Sequence, residues 1–186
     1  MNFKGKKVLV AGGTGLIGTP LVKMLIEEEG ASVRIASLDD RKRAHSEAEF
    51  MNSNLMKYKN CVHVCSGMDY VFNLLCLKGS PNFMKEKPAT VFDANVYLGI
   101  NLLRAAHQCG IEGYFHTSSL GVYPAAEVFF EDDAANEKLP SKNDRFAGFA
   151  KLAGEIQSQA YMIEYEMIIS TVRPANTYGP LDDFDS

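Results

Sequence analysis

A short apolar run near the start of the chain leads directly into three glycines. Residues 6–11 are rich in valine and leucine, and Gly12, Gly15 and Gly18 follow at intervals of three residues. Apolar residues at helical spacing come next, so the segment predicts a buried strand, a tight turn and the first turn of a helix. The free N–H groups at such a helix start bind a pyrophosphate, and the glycines let the backbone approach it. We therefore expect a dinucleotide site in this segment.

Composition restricts the classes of function. The chain has 186 residues, of which 46% are apolar and 23% charged, and these proportions are typical of one soluble domain. A net charge of −4 gives none of the basic surface that nucleic acids require. The apolar run behind the basic N-terminus is short and interrupted by glycine, so we expect neither a signal peptide nor a membrane span.

The cysteines and histidines give no metal-binding pattern. Cys61, Cys65, Cys76 and Cys109 contain no Cys-x-x-Cys pair, and the four histidines are isolated in the sequence. Packed free thiols are therefore the better interpretation, and a reducing cytoplasm is the expected location. We predict no metal site.

Strands and helices alternate along the chain. Strands are predicted at residues 6–11, 32–37, 70–75, 114–118 and 167–173, and helices at residues 16–29, 90–109 and 146–164. Between residues 37 and 60 the pattern predicts a loop, a short helix and a weak strand near Phe50, while residues 79–81 indicate a polar loop. Such alternation is typical of βαβ units, so we predict an α/β fold with a doubly wound parallel sheet between two helical layers.

Four further segments, together with the glycine loop, carry a family resemblance. They are residues 71–76, 95–106, 115–123 and 173–180. In this order they resemble the extended short-chain dehydrogenase/reductase family, the NAD-dependent epimerases and dehydratases of sugar nucleotides. Residues 105–109 and 178–184 are most similar to its GDP-L-fucose synthase-like members. The resemblance implies that residues 1–186 form an NAD(P)-binding Rossmann domain and that the substrate is a nucleotide sugar.

The resembled family transfers a hydride with NAD(P), and a Ser/Thr, Tyr and Lys trio moves the accompanying proton. The resemblance assigns Ser119 to the substrate oxygen and Lys151 to the lysine that acidifies the tyrosine. Ala147 stands four residues before Lys151, where the family has that tyrosine. Losing a general acid/base lowers a rate by about 10²–10⁴. We therefore expect cofactor binding with impaired turnover, unless another phenol such as Tyr123 or Tyr178 substitutes.

The resemblance also implies which residues contact the cofactor. They come from the glycine loop, the ends of later strands and the long helices: Gly12, Thr14, Gly15, Leu16, Ile17, Gly18, Ser37, Asp39, Asn54, Leu55, Leu74, Leu75, Cys76, Asn95, Lys151, Pro174 and Asn176. Two alternatives stay open. Asn54 and Leu55 are equally consistent with a polar turn after a short strand, and Cys76 and Asn95 with core polar groups bonded to the backbone.

Cofactor choice depends on the end of the second predicted strand. A carboxylate there binds the ribose hydroxyls of NAD, whereas a small polar residue near arginines accommodates the 2′-phosphate of NADP. The register counted from Gly18 puts Ser37 at the deciding position, and Arg41 and Arg43 follow it. Asp39 lies two residues later and is still within reach of the ribose. The sequence therefore favours NADP slightly.

Two expectations concern the rest of the assembly. Residues 180–186 fall where the resembled family turns into a smaller C-terminal domain that holds the sugar nucleotide, so we expect most of that domain to be missing. The family pairs its two long helices across a dimer, so residues 90–109 and 146–164 are expected to form a homodimer. Three functions follow: a sugar-nucleotide epimerase, dehydratase or reductase, a catalytically silent NAD(P)-binding module, and a dimerising interaction subunit.

Overall fold

The computed structural model describes residues 3–130, 140–141 and 145–182. Within these ranges the strands and helices are, in chain order, β1 (Lys7–Ala11), α1 (Gly18–Glu27), β2 (Ser32–Ser37), β3 (Glu49–Asn52), α2 (Tyr58–Cys65), β4 (Tyr70–Asn73), α3 (Pro81–Glu86), α4 (Pro88–Gln108), β5 (Gly113–Thr117), α5 (Arg145–Tyr165) and β6 (Ile169–Val172). Short 3-10 turns at Arg41–Arg43 and Leu120–Val122 follow β2 and β5.

The six strands form one parallel sheet in the order β3-β2-β1-β4-β5-β6. Strands β1 and β4 are the two central strands. On the β1 side follow β2 and the edge strand β3, and on the β4 side follow β5 and the edge strand β6. This doubly wound order confirms the predicted α/β Rossmann architecture. The switch point lies between β1 and β4, where the two halves of the sheet diverge.

Strand β1 is buried on both faces of the sheet. Leu9 and Ala11 belong to one apolar layer with residues of α2 and α4, while Val8 and Val10 belong to a second layer with residues of α1. Successive side chains of a strand point to opposite faces, which explains why β1 is a continuous apolar run rather than an alternating one. The two apolar layers make a three-layer αβα domain.

The start of α1 differs from the sequence prediction. The helix begins at Gly18 rather than at residue 16, because residues 12–17 form the turn. The pattern also misses α2, whose eight residues bury only Cys61, Val64 and Cys65 and so give a weak helical period.

The predicted polar loop at residues 79–81 is shorter than expected, because α3 begins at Pro81. Ser80 caps this helix, and its hydroxyl accepts a hydrogen bond from the backbone N–H of Phe83 at 3.3 Å. A serine cap followed by proline at the first helical position is a helix start signal. Residues 183–186 lie outside the described residues, and with them the ends of the segments 178–184 and 180–186 that the sequence analysis considers.

Helix α5 approaches its neighbours closely through two glycines. A Cβ on Gly148 would stand 2.1 Å from the carbonyl oxygen of Gly121, and one on Gly154 would stand 2.7 Å from the ring of His116. Neither site has room for a side chain, so these two glycines set how deeply α5 lies. Lys151 lies midway between them and is carried to the same depth.

An ion pair ties the end of β6 to α5. Arg173 donates hydrogen bonds to both carboxylate oxygens of Glu155 at 2.9 Å, and it also donates to the hydroxyl of Tyr123 at 3.1 Å. Burial is the largest single influence and disfavours the ionised carboxylate, but the hydrogen bonds and the charge of Arg173, together with smaller contributions from neighbouring groups, hold the pKa of Glu155 below its ordinary value. The pair thereby fixes where the chain leaves β6.

Replacing Gly148 with alanine should destabilise the fold. The added methyl group meets the Gly121 carbonyl, so the free energy of unfolding should fall by about 1–3 kcal/mol. Gly99→Ala is the matched control, since Gly99 also lies inside a helix and nothing stands within 4 Å of its Cβ position. That substitution should raise stability by about 0.5–1 kcal/mol. Urea unfolding measures both variants, and equal effects would contradict the close approach of α5.

Candidate functional site

Most glycines of the first turn are required by the packing of the chain itself. Gly12 has φ +85°, which favours glycine. A Cβ on Gly18 would stand 2.3 Å from the carbonyl oxygen of Gly12, and one on Gly13 would stand 3.0 Å from the side chain of Ile35. These glycines therefore let the turn fold tightly between β1 and α1.

Gly15 differs from the other glycines of the turn. A Cβ there would meet only the Gly12 carbonyl oxygen, at an ordinary 3.5 Å, so the packing of the chain does not require glycine. Next to it, α1 begins at Gly18 without a side-chain cap. Uncapped N–H groups and the positive dipole end beside an uncrowded glycine form a cradle for an anionic group. This is the geometry expected for a dinucleotide pyrophosphate.

A cleft of about 740 Å³ opens beside this turn. Its walls come from the segments that follow β1, β4, β5 and β6, at the carboxyl ends of the strands, where open parallel sheets bind ligands. The site residues assigned from the sequence that line it are Gly12, Gly15, Leu16, Ile17, Gly18, Leu74, Cys76, Ser119, Lys151, Pro174 and Asn176. The fold thus collects segments from the beginning, middle and end of the chain.

Lys151 is a buried cation in the wall of this cleft. Its Nζ donates to the carbonyl oxygens of Leu75 at 2.9 Å and Thr117 at 2.8 Å. The side chain therefore spans the carboxyl ends of two neighbouring strands, β4 and β5. Burial lowers the pKa of Lys151 from its ordinary value, because loss of water disfavours the ammonium. An ammonium has three N–H donors, so one further hydrogen bond is available for a ligand.

Ser119 and Ala147 occupy the other two positions of the Ser/Thr, Tyr and Lys trio that the sequence analysis assigns to the reaction. The Ser119 hydroxyl lines the cleft and accepts a hydrogen bond from the backbone N–H of Gly121 at 3.1 Å, which leaves its own proton for a ligand. Ala147 lies one helical turn before Lys151 on the same face of α5. The position of the family tyrosine therefore carries no ionisable group.

The two phenols considered as substitutes are arranged differently from that tyrosine. Tyr123 lines the cleft, but its hydroxyl accepts a hydrogen bond from Arg173. The Tyr178 side chain is 85% exposed. Neither phenol therefore reproduces a tyrosine held beside Lys151.

Thr14, Ser37 and Asp39 form a hydrogen-bonded group beside the glycine turn. Thr14 donates to the Asp39 carboxylate at 2.5 Å and shares a hydrogen bond with the Ser37 hydroxyl at 2.8 Å. The backbone N–H of Asp39 donates to Ser37 Oγ at 3.1 Å, and Arg43 lies 3.8 Å from the Asp39 carboxylate. Asp39 thus contacts the glycine turn through Thr14, although it lies two residues after Ser37, the position expected to decide between NAD and NADP. The group lies at the end of β2, where Rossmann folds bind an adenosine ribose.

Asn54 and Leu55 lie away from the cleft. Leu55 is 2% exposed and packs in the apolar core, so its side chain offers no ligand contact. The Asn54 carboxamide oxygen accepts a hydrogen bond from the backbone N–H of Met56 at 3.0 Å. Both residues lie between β3 and α2, and a contact with the cofactor stays a prediction for them.

Asn95 and Leu75 also stand behind the cleft wall rather than in its lining. The Asn95 side chain accepts from the backbone N–H of Leu77 at 2.8 Å and donates to the carbonyls of Leu77 at 3.0 Å and Val91 at 2.9 Å. Leu75 contributes its carbonyl oxygen to Lys151. Asn95 therefore holds the segment after β4 in place, which is the backbone-bonded alternative left open for it.

Thr117 is a cleft residue that the sequence reasoning does not single out. Its hydroxyl oxygen is buried and has no hydrogen-bond partner among the described residues. A buried polar atom without a partner costs free energy, so this hydroxyl fits a site that a ligand completes. The available signal is its position as the last residue of β5, where strand ends converge.

Two further findings hold for residues 3–130, 140–141 and 145–182. No group of three or more His, Cys, Asp or Glu side chains is placed to hold a metal ion. Nor does this part of the chain contain a helix of the length and apolarity that crossing a membrane requires.

Known proteins resemble the chain over nearly its whole length. Residues 8–186 match the model of the NAD dependent epimerase/dehydratase family. GDP-mannose 3,5-epimerase 1 of Oryza sativa subsp. japonica is 28% identical over 94% of this chain and 47% of its own length. GDP-L-fucose synthase 1 of Arabidopsis thaliana is 26% identical over 99% of this chain and 54% of its own length.

The fold similarity extends to solved structures. UDP-glucose 4-epimerase of Thermus thermophilus, in complex with NAD, superposes with a TM-score of 0.79 at 25% identity. The match covers 95% of this chain and 57% of that structure. The chain spans about half the length of the curated relatives it matches.

His116 lies beneath the cleft, where β5 meets α5. The residue is 3% exposed, and it is flanked by Lys151 and Glu155 of the helix. Burial, and after it the charge of Lys151, lowers the pKa of His116 to about 4, although Glu155 acts in the opposite direction. The imidazole is therefore neutral in the folded protein near neutrality.

The buried neutral His116 should make the fold sensitive to mild acid. An unfolded histidine takes up a proton near pH 6.5 and folded His116 only near pH 4, so stability falls as the pH decreases between these values. The full loss is on the order of 3 kcal/mol. His116→Phe should flatten this dependence, whereas His63→Phe on the exposed face of α2 should preserve it. Denaturant unfolding at several pH values between about 4.5 and about 7, where the effect is expected, measures how the free energy of unfolding changes with pH. An unchanged slope in His116→Phe would contradict the assignment.

Proposed function

Because the chain belongs to the NAD dependent epimerase/dehydratase family, we propose that it binds NAD(P) in the cleft and exchanges a hydride with a nucleotide sugar. One observation carries this proposal: the uncrowded turn at Gly15 and the buried ammonium of Lys151 line the same cleft. An anion cradle suits the pyrophosphate of a dinucleotide, and a positioned cation suits its reacting end.

The residues present fit this cofactor. Gly15 and the N-terminus of α1 would hold the pyrophosphate, and Asp39 with Ser37 would hold the adenosine ribose. Lys151 and Ser119 would lie at the nicotinamide end. When bound, the cofactor supplies hydride exchange.

The side chains of the protein would act on the oxygen and the proton of the substrate. The Ser119 hydroxyl positions the substrate oxygen, and the Lys151 ammonium stabilises the negative charge that develops there as a proton leaves. Ala147 offers no phenol to receive that proton. This absence favours a catalytically silent NAD(P)-binding module as the second candidate function.

Two features bear on the choice between NAD and NADP. Ser37 at the deciding position, with Arg43 nearby, suits the 2′-phosphate of NADP, which is the slight preference of the sequence. The Asp39 carboxylate beside Thr14 instead repels a phosphate and suits the free ribose hydroxyls of NAD. Because the carboxylate is held at the turn, we propose that NAD binds more tightly than NADP.

The substrate class and the compartment belong to the same proposal. The names of the relatives, a GDP-mannose 3,5-epimerase and a UDP-glucose 4-epimerase among them, support a nucleoside diphosphate sugar as substrate. The four cysteines are free thiols, which is in keeping with a reducing compartment such as the cytoplasm.

Titration of the chain with NADH, followed by nicotinamide fluorescence, tests the proposal. We expect saturable binding in the micromolar range. Gly15→Ala should weaken binding by about tenfold or more, because the methyl group occupies the pyrophosphate cradle. The same substitution should leave stability nearly unchanged, since its Cβ meets only one ordinary contact. Gly99→Ala serves as the control with unchanged binding.

NADPH is titrated in parallel with NADH. Weaker binding of NADPH is expected in the wild-type chain, and Asp39→Ala should narrow the difference between the two cofactors. Failure to bind either cofactor at millimolar concentration would contradict the proposed function. Equal affinity of wild type and Gly15→Ala for NADH would contradict binding of the cofactor at the glycine turn.

We also propose that the chain forms a homodimer through α4 and α5. The two helices pack against each other and expose large apolar side chains: Phe92, Tyr97, Phe146, Ile156 and Ile163. Part of this surface is a groove of about 480 Å³ that includes Phe92, Phe146 and Phe149. A cluster of exposed apolar residues of this kind marks an association surface.

Sedimentation velocity measures the oligomeric state directly. We expect a dimer for the wild-type chain and a monomer for the Phe92→Asp/Phe146→Asp variant, because two carboxylates in the apolar surface oppose its burial. Met24→Asp places the same charge on an exposed apolar position of α1 and should leave the dimer intact. A wild-type monomer at high protein concentration would contradict the proposal.

A further inference from the structure

Cys76 and Lys151 occupy the same wall of the cleft. Cys76 is exposed in the cleft and directly follows Leu75, whose carbonyl oxygen accepts a hydrogen bond from Lys151 Nζ at 2.9 Å. The ammonium and the thiol are close enough for their charges to interact. The thiol and the ammonium therefore face the same cleft from neighbouring backbone positions.

The segment that carries Cys76 is held on both sides by amide side chains. Before it, the Asn73 carboxamide oxygen accepts a hydrogen bond from the backbone N–H of Leu75 at 3.1 Å. After it, Asn95 bonds both the N–H and the carbonyl of Leu77. The thiol is therefore presented to the cleft from a fixed backbone, as acid/base chemistry requires.

The other three cysteines are poorly suited to react. Burial raises the pKa of Cys61 to about 12 and also raises the pKa values of Cys65 and Cys109. Cys61 and Cys109 also donate to the carbonyl oxygens of Leu55 and Val62. All four cysteines lie in the described part of the chain, and Cys76 is the exposed one among them.

The described residues that line the cleft contain few groups able to move a proton near neutrality. Their titratable side chains are Cys76, Lys78, Tyr123, Lys151 and Asp182. Among ordinary side chains of these types, the thiol is the one whose pKa lies closest to neutrality. The Tyr123 hydroxyl is bonded to Arg173, and the two carbonyl oxygens that accept hydrogen bonds from Lys151 stabilise its charged form. The Cys76 thiol is exposed in the cleft and carries a proton that it can give or accept.

A second observation points to a ligand at this wall of the cleft. The buried hydroxyl of Thr117 has no hydrogen-bond partner among the described residues. The Thr117 carbonyl is the other acceptor of Lys151, so this hydroxyl belongs to the same wall as Cys76. A polar substrate group beside the thiol would give it a partner.

From this arrangement we propose that Cys76 performs the proton transfer that Ala147 cannot, with Lys151 as its charge partner. The inference rests on the proposed function. In oxidation of a sugar hydroxyl, the O–H bond breaks, an S–H bond forms at Cys76 Sγ, and the oxygen electron pair forms the carbonyl as the hydride passes to the oxidised nicotinamide. In reduction the Cys76 thiol returns its proton to the oxygen.

The first test measures the reactivity of the thiol and needs no substrate. The full chain is labelled with iodoacetamide between about pH 6 and 9, the range in which thiols ionise. Peptide mass spectrometry then measures the labelling rate of each cysteine. Cys76 should react first, and its rate at neutral pH should fall several-fold in Lys151→Met. NADH should slow labelling of Cys76 and leave that of Cys109 unchanged. Labelling of Cys76 that is as fast in Lys151→Met as in wild type would overturn the pairing.

The second test separates this proposal from the proposed function. Transfer of deuterium from labelled NADH to keto sugar nucleotides, prepared from GDP-mannose and UDP-glucose, is measured for wild type, Cys76→Ser and Cys76→Ser/Ala147→Tyr. Cys76→Ser keeps the size of the side chain and removes its acidity, so transfer should fall by about 10²-fold or more. The added tyrosine should restore transfer, because it stands one turn from Lys151 on the same helix face.

The outcomes of the second test are distinct. Loss of transfer in Cys76→Ser and its recovery with Ala147→Tyr support Cys76 as the proton carrier. Transfer by Cys76→Ser at the wild-type rate would overturn that role and leave the proposed function standing. No transfer by any of the three chains, despite NADH binding, would overturn the proposed hydride exchange and this inference with it. Cys109→Ser is the control that should retain the wild-type rate.

Discussion

The site depends above all on the placement of one buried ammonium. Lys151 Nζ is held by the carbonyl oxygens of Leu75 and Thr117, which replace the water that the charge loses on burial. The carboxyl ends of β4 and β5 must therefore stay at a fixed separation, and α5 must lie close enough for the lysine to reach them. Gly148 and Gly154 allow that approach, because neither position has room for a Cβ.

The glycine turn also contains positions without room for a Cβ, but next to them it leaves open space for a ligand. Gly12 and Gly18 are required by the packing of the turn, whereas Gly15 leaves space that the protein does not fill. In the proposed site the open turn at Gly15 would bind the pyrophosphate, whereas Lys151 would act at the reacting end. Cofactor binding and the reaction therefore depend on different residues of one cleft. Ala147 stands where the family has its phenol, and the partner lysine is in place, so the proposed dinucleotide binding does not depend on which group carries the proton.

The sequence predicts the features that depend on local pattern. Apolar runs predict the parallel strands, and the motif around Lys151 predicts its presence in the cleft. The short helices α2 and α3 escape prediction because each has too few turns for a clear period. The hydrogen bond of Asp39 to Thr14 and the contacts of Asn95 with Leu77 escape it because they join residues far apart in the chain. The unpartnered Thr117 hydroxyl becomes visible only when every neighbour is placed.

A crystal structure of the chain grown with NADH would show where the dinucleotide lies in the cleft. We expect the pyrophosphate to lie against Gly15 and the first turn of α1, with the nicotinamide ring beside Lys151 and Cys76. We also expect the hydrogen bonds of Asn73 and Asn95 around Cys76 to be the same with and without the cofactor. An empty cleft at saturating NADH, or a cofactor bound away from the glycine turn, would contradict it.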